Sequence, residues 1–548
     1  MLSNTPSRKP SRKPSKKVAG LAAAAVLGAV PAAPPAPAHA APVIRWESCP
    51  ADDPIEGKAL KGLECGTLSV PLDHTRPAGR RITLALTRAR HTGKRYRGAV
   101  LLNRGGPGAH GRDLPALFTK ALPKRLAASY DWIGFDPRGV GASEPALTCD
   151  PTYLNPDGPR ADTLPRTAAE EEAWRARAKR YADDCARRHR DLLPYMGTRN
   201  QVADLEAVRR ALRHERIDFF GFSYGSYLGA AYATAHPHRV RRMVLDSVVR
   251  PSGVWYDNNL DQNVAFEKRI RAFFRWIADH HDVYGLGTTA EQVAQAYYRV
   301  RADLAREPLR GEVGPSELDD VFLTDGYSTQ QWSKHAWALS DYVVRDDSTA
   351  LAALWRPPGE LGQNNYAMYL ATECRDAPWP RDWSVWSRDA SRLYAAGNRF
   401  ETWSNTWYNA PCAYWPVEGG PRPEIGSPVP RILLVQASED AATPYPGAVE
   451  MHRLFPASRL VVQRGGGNHG ISLSGDACVD ETVVAYLRDG ALPPDRPGPD
   501  RVCRAPAPPR PGPRPDPDAE PKKDSASDRG VPAAASGIPA EAVIPPTA

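Results

Sequence analysis

Ile217-Asp218-Phe219-Phe220-Gly221-Phe222-Ser223-Tyr224-Gly225-Ser226 is the stretch on which the fold turns. Ile217 to Phe220 is an apolar run of strand length, and the Ala-, Tyr- and Leu-rich residues that begin near Ser226 read as a helix. Between them stands G-x-S-x-G. Small residues flank the serine because a sharp strand-to-helix turn brings backbone and helix too close for larger side chains. Such a turn projects the Ser223 hydroxyl above the end of the strand. The five-residue motif alone is common in loops; the strand before it and the helix after it give it chemical meaning.

A serine hydroxyl is a poor nucleophile until a base takes its proton, so a histidine and an acid to orient it are needed downstream. His469 lies in Gly465-Gly466-Gly467-Asn468-His469-Gly470, where the glycines are expected to let the imidazole reach over the sheet edge. Asp440 lies in Ala437-Ser438-Glu439-Asp440-Ala441-Ala442-Thr443-Pro444, just after the apolar run Ile432 to Val435. The chain order Ser, Asp, His and the 29-residue spacing, enough for a helix and a strand, fit a nucleophile turn of this type. Glu439 and Asp246 compete for the acid's place, and the later position favours Asp440. Acyl transfer also needs donors for a developing oxyanion. The backbone N–H of Tyr224 is one, and Gly106, in Asn103-Arg104-Gly105-Gly106-Pro107-Gly108, is the expected second. That glycine run lacks the G-x-x-x-x-G-K-[ST] spacing of a phosphate loop.

Working outward, strand patterns fall at 67–70, 81–88, 99–102, 131–135, 243–245, 432–435 and 460–462, alternating with helical ones such as Val202 to Leu212. That alternation predicts an α/β protein with a mostly parallel sheet, the α/β-hydrolase fold. Between about 251 and 430 the pattern becomes helical. Phe266, Ile270, Phe273, Phe274 and Ile277 share one face, and Val293, Tyr297, Val300 and Leu304 share another behind a capping box at Thr289 and Gln292. These stripes read as packing surfaces of an inserted, largely helical cap. The expected organisation is a signal peptide (1–40), a first core segment (41–250), the cap (251–430), a second core segment (431–503) and a disordered Pro-rich tail (504–548).

The N-terminus sets the compartment. Six lysines and arginines without an acid precede an Ala/Val/Leu stretch and the small-x-small site Ala38-His39-Ala40, the pattern of an exported protein's leader. Its removal takes six charges, so +8 falls to +2, and the remaining mixture of acids and bases has no nucleic-acid footprint. A membrane anchor would need a longer apolar run. Eight cysteines, none in C-x-x-C spacing, favour disulfides over metal ligation, most simply 49–65, 149–185, 374–412 and 478–503.

Taken together, Gly105-Gly106-Pro107-Gly108, Asp136-Pro137-Arg138-Gly139, Gly221 to Ser226, Leu245-Asp246, Asp440 to Pro444 and Asn468-His469-Gly470 resemble the bacterial secreted tripeptidyl aminopeptidases, relatives of the prolyl aminopeptidases. The resemblance covers about residues 45–503. It implies release of short peptides from a free N-terminus, with no metal or organic cofactor; from the charge and the leader, no nucleic-acid partner and no stable membrane partner after signal cleavage are expected. An exopeptidase must bind an ammonium group, which acidic side chains do best. Glu373, in Ala371-Thr372-Glu373-Cys374, is the expected contact. A carboxylesterase acting on small-molecule or lipid esters and a non-catalytic binding protein on a hydrolase scaffold are the competing readings.

Overall fold

The structure is a computed structural model that describes residues 43–53 and 55–515. The expected signal peptide and the tail beyond residue 515 lie outside the described residues.

One sheet contains ten strands: β1 (Arg45–Ser48), β2 (Glu64–Pro71), β3 (Arg81–Ala89), β4 (Ala99–Asn103), β5 (Asp131–Phe135), β6 (Ile217–Phe222), β7 (Val240–Asp246), β8 (Ile432–Ala437), β9 (Arg459–Arg464) and β10 (Arg501–Arg504). Their spatial order is β1-β2-β3-β5-β4-β6-β7-β8-β9-β10. Pairing is antiparallel from β1 to β5 and parallel from there to β10. The central strands are buried on both faces, so they read as continuous apolar runs and not as alternations.

The order places the site. The chain goes from β4 to β5 on one side and then to β6 on the other, so the loops after β4 and β6 diverge at a crevice. Asn103 pairs with Gly221, which sets the glycine loop beside the serine turn. The Asp136-Pro137-Arg138 segment braces that loop. Asp136, fully buried, accepts N–H bonds from Gly111 and Ala142 and faces Arg112, while Arg138 forks onto Asp204 with two bonds of 2.6 Å.

Helix α1 (Ala168–His189) opens with a capping box between Thr167 and Glu170 and buries Trp174, Ala178, Tyr181, Ala182 and Cys185. Helices α2 (Thr198–Ala211) and α3 (Tyr224–Ala235) flank the serine turn. Between β7 and β8 come α4 (Tyr256–Asp279), α5 (Ala290–Arg306), α6 (Pro315–Tyr327), α7 (Trp332–Arg345) and α8 (Glu360–Asp376). The expected capping box at Thr289 and Gln292 starts α5. Phe266, Ile270, Phe273, Val293, Tyr297, Phe322 and Trp332 form a core of the inserted helices, whereas Tyr366 to Trp415 packs into the core on one face of the sheet. The four disulfides are 49–65, 149–185, 374–412 and 478–503. Among the described residues no helix is long and apolar enough to cross a membrane.

The start of the expected tail is fastened to the inserted helices. Trp276 Nε1 donates to the Pro509 carbonyl at 2.9 Å, Trp337 Nε1 to Gly512 at 3.0 Å, and the Gly512 N–H to Ser333 Oγ at 2.7 Å; Arg514 pairs with Asp341. Each bond contributes about 1 kcal/mol. Truncation after Arg504 is therefore expected to lower the Tm by several degrees; an unchanged Tm would show that these contacts hold nothing in solution.

Candidate active site

Ser223 stands at the start of α3 with φ 56° and ψ −126°, a left-handed conformation for a residue bearing a Cβ. The neighbouring glycines are required by contact. A Cβ on Gly221 would lie 2.4 Å from the Gly225 carbonyl oxygen, and one on Gly225 would lie 2.7 Å from Asn103 Oδ1. The turn is held by the Ser223 N–H, which donates to the Asp246 carbonyl at 2.9 Å.

His469 and Asp440 come together at the ends of β9 and β8. His469 Nδ1 lies 3.0 and 2.9 Å from the two Asp440 oxygens, and both side chains are buried. Asp440 also accepts from the N–H groups of Ala442 and Thr443 and from Thr443 Oγ1, each at 3.0 Å. These bonds fix its carboxylate toward the ring. His469 Nε2 is buried and makes no hydrogen bond, Ser223 Oγ included, so it remains open as an acceptor. Catalytic contacts often tighten only when substrate is bound.

The competing acids sit elsewhere. Glu439 is half exposed. Asp246 is fully buried, but its Oδ2 accepts the N–H groups of Ile471 and Ser472 at 3.0 and 2.6 Å and its Oδ1 accepts from Ser247 Oγ. It anchors the segment after His469. Burial raises its carboxyl above the ordinary value.

Ser223, Tyr224 and Gly106 line one cavity of about 310 Å³, together with Tyr327, Glu373 and Glu401. Gly105 is excluded as the second donor because its N–H is held by Asn103 Oδ1 at 3.1 Å. Gly106 adopts a positive φ of 102° beside the turn. The Tyr224 N–H belongs to the first turn of α3, where backbone donors have no partner within the helix.

Glu373 comes from α8, whose end is tied by the 374–412 disulfide. It is 3 % exposed, and its Oε2 has no hydrogen-bond partner. Burial pushes its carboxyl well above the usual range, opposed by hydrogen bonds from Tyr369 and Asn259. One turn on, Asp376 is spent on structure. It accepts from the Thr198 N–H and Oγ1 and from Trp255 Nε1, and burial lifts it to about 6.

Three further residues shape the site, and two of them, Glu401 and Tyr327, are invisible to sequence reasoning. Glu401, raised by burial, shares the cavity wall. Tyr327 accepts the His469 backbone N–H on its carbonyl at 2.8 Å and sets its ring edge-on to the imidazole, the ring centroids 5.5 Å apart. Thr443 supports Asp440. Nothing in the helical stripes distinguishes such positions from packing residues.

Among the described residues, Glu56, His110 and Asp113 are grouped as metal-ligating side chains would be. Arginines supply their countercharge: Arg104 Nη2 donates to both oxygens of Asp113, and Arg112 lies 3.5 Å from Glu56. Burial and the nearby Asp136 push Glu56 to about 9.

Comparison with known proteins agrees with this architecture. A family described as alpha/beta hydrolase fold matches residues 98–314, and one described as TAP-like protein matches residues 399–503. The chain is 40 % identical to a tripeptidyl aminopeptidase of Streptomyces coelicolor over 85 % of this chain and 87 % of the relative. It is 31 % identical to serine protease Hip1 of Mycobacterium tuberculosis, over 82 % and 90 % respectively. A carboxylesterase B of the same organism also matches at 31 %, over 83 % and 89 %.

Proposed function

The chain belongs to the tripeptidyl aminopeptidase family of α/β hydrolases, and from that membership we propose that it is a secreted serine exopeptidase that releases tripeptides from free N-termini. The observation that carries the reading is Glu373, a buried carboxyl in the same cavity as Ser223 that faces no cation among the described residues and whose Oε2 has no hydrogen-bond partner. Such a group is costly until a cation arrives. A peptide's terminal ammonium would supply it, with the scissile carbonyl reaching Ser223. Four disulfides support export.

The mechanism is two-step acyl transfer. Ser223 Oγ bonds to the scissile carbonyl carbon while its proton passes to His469 Nε2. The carbonyl oxygen gains negative charge and takes the N–H groups of Tyr224 and Gly106. The C–N bond then breaks as His469 returns the proton to the departing amine. Water attacks the acyl-enzyme with the same base, which frees the peptide's new carboxylate. Asp440 holds the imidazole in the tautomer that leaves Nε2 free and stabilises the imidazolium.

Acylating the substrate's amine removes the cation and strands the acid, a loss on the order of 2–5 kcal/mol for a buried charged pair. N-acetylation is therefore expected to lower kcat/KM at least about tenfold, equivalent to roughly 1.4 kcal/mol. Glu373→Gln should weaken use of the free peptide while sparing a small ester. Equal use of free and acetylated peptides, with esters preferred to both, would favour the carboxylesterase reading that one relative's name carries.

A further inference from the structure

Gly467 stands two residues before His469, and its φ is not in the left-handed region, so its backbone tolerates a side chain. Space does not. A Cβ there would lie 2.2 Å from Arg269 Cζ and 2.4 Å from its Nε and Nη1. The guanidinium of a residue on α4 thus lies flat against the loop that carries the histidine. This differs from the reach expected of the glycines: at 467 the missing side chain makes room for an arginine.

The surroundings of Arg269 are unusual for a cation. It is 5 % exposed, and its Nε and Nη2 find no hydrogen-bond partner. Trp332 covers it, 5.3 Å from the ring centroid, and the nearest carboxylate oxygen, on half-exposed Glu439, is 3.9 Å from Nη1. Buried arginines ordinarily fork onto a carboxylate. Here the charge faces the loop and acts through space on Asp440, Glu439 and Asp325. Asp325 is itself paired with His335 at 2.8 Å.

We infer that Arg269 is a positioning residue for the proton transfer: its guanidinium packs against the Gly467 backbone and seats the loop that carries His469. The inference rests on His469 being the general base. The rest of that loop is held by Asp440 from the loop after β8, by the Tyr327 carbonyl from α6 and, at the following residues, by Asp246 from β7.

The seat is tested by coupling, read as kcat and KM separately for a free-amine peptide. Gly467→Ala should lower kcat at least about tenfold in the wild type, with KM little changed, by displacing the loop, and by clearly less beside Arg269→Ala, where the clashing atoms are gone. Equal losses in both backgrounds would overturn the seat, and this comparison stands even if the Arg269→Ala variant is less stable. Should His469→Ala remain active, the base assignment itself fails; should it be inactive while the two losses are equal, only this inference fails.

Discussion

Ser223→Ala and His469→Ala are each expected to lower kcat by on the order of 100,000-fold while leaving the Tm within a degree or two of the wild type. The double variant should be little worse than either single one. The two side chains act as one unit, since without the base the hydroxyl stays protonated and without the hydroxyl the base has nothing to activate. What remains in every variant is the contribution of the oxyanion donors and of binding. Losses that multiplied in the double variant would show that the two residues work in separate steps, and the assignment would fall.

The acid gives the second large effect. Asp440→Asn should keep the fold, since the amide oxygen can still accept from the Ala442 and Thr443 N–H groups. It would present the wrong partner to His469 Nδ1 and turn the ring to its unproductive tautomer. A loss of about 10,000-fold in kcat is expected. Asp246→Asn should act differently: its amide oxygen can likewise keep the two backbone N–H bonds, and Asp246 makes no hydrogen bond to the His469 ring, so losing the Ser247 Oγ bond costs about 1 kcal/mol of stability and much less turnover. Kinetics and thermal unfolding of both variants separate these outcomes. The reverse ranking in turnover would move the acid to Asp246.

The legible part of the molecule is the part built from continuous apolar strands. The strands at 99–103, 131–135, 217–222 and 432–437 are buried on both faces and stand out as runs, and the loops after them hold Gly106, Ser223 and Asp440. The edge strands do not show in this way. β1 (Arg45–Ser48) and β10 (Arg501–Arg504) are four residues each, mostly polar and largely exposed, so neither period nor hydrophobicity marks them. Helix α1 escaped for a related reason: alanines and charged residues make up most of it, and its buried stripe is thin. Proline content made the residues after Arg504 look free of structure, yet three hydrogen bonds and an ion pair hold them through 514.

The site divides along the same line. Residues placed by local backbone demands, such as the small residues around Ser223, leave a trace in the sequence. Residues placed by tertiary approach leave none. Glu373 was picked out by the chemistry an exopeptidase needs, joined to its place beside a cysteine. Tyr327 and Arg269 sit on inserted helices whose spacing speaks only of packing, and Glu401 stands just before another such helix. Gly467 shows the difference within one residue, because its small size is visible in the sequence while the arginine that requires it lies 198 positions away.

The most direct measurement of the central claim is the mass of the first product. The mature protein is incubated with an unmodified peptide of about ten residues and with its N-acetylated twin, and early products are identified by mass spectrometry beside a Ser223→Ala control. The account predicts release of the N-terminal tripeptide from the free peptide, little from the acetylated one and none from the control. Cleavage of both peptides at the same internal bond, or tripeptide release by the Ser223→Ala protein, would contradict it.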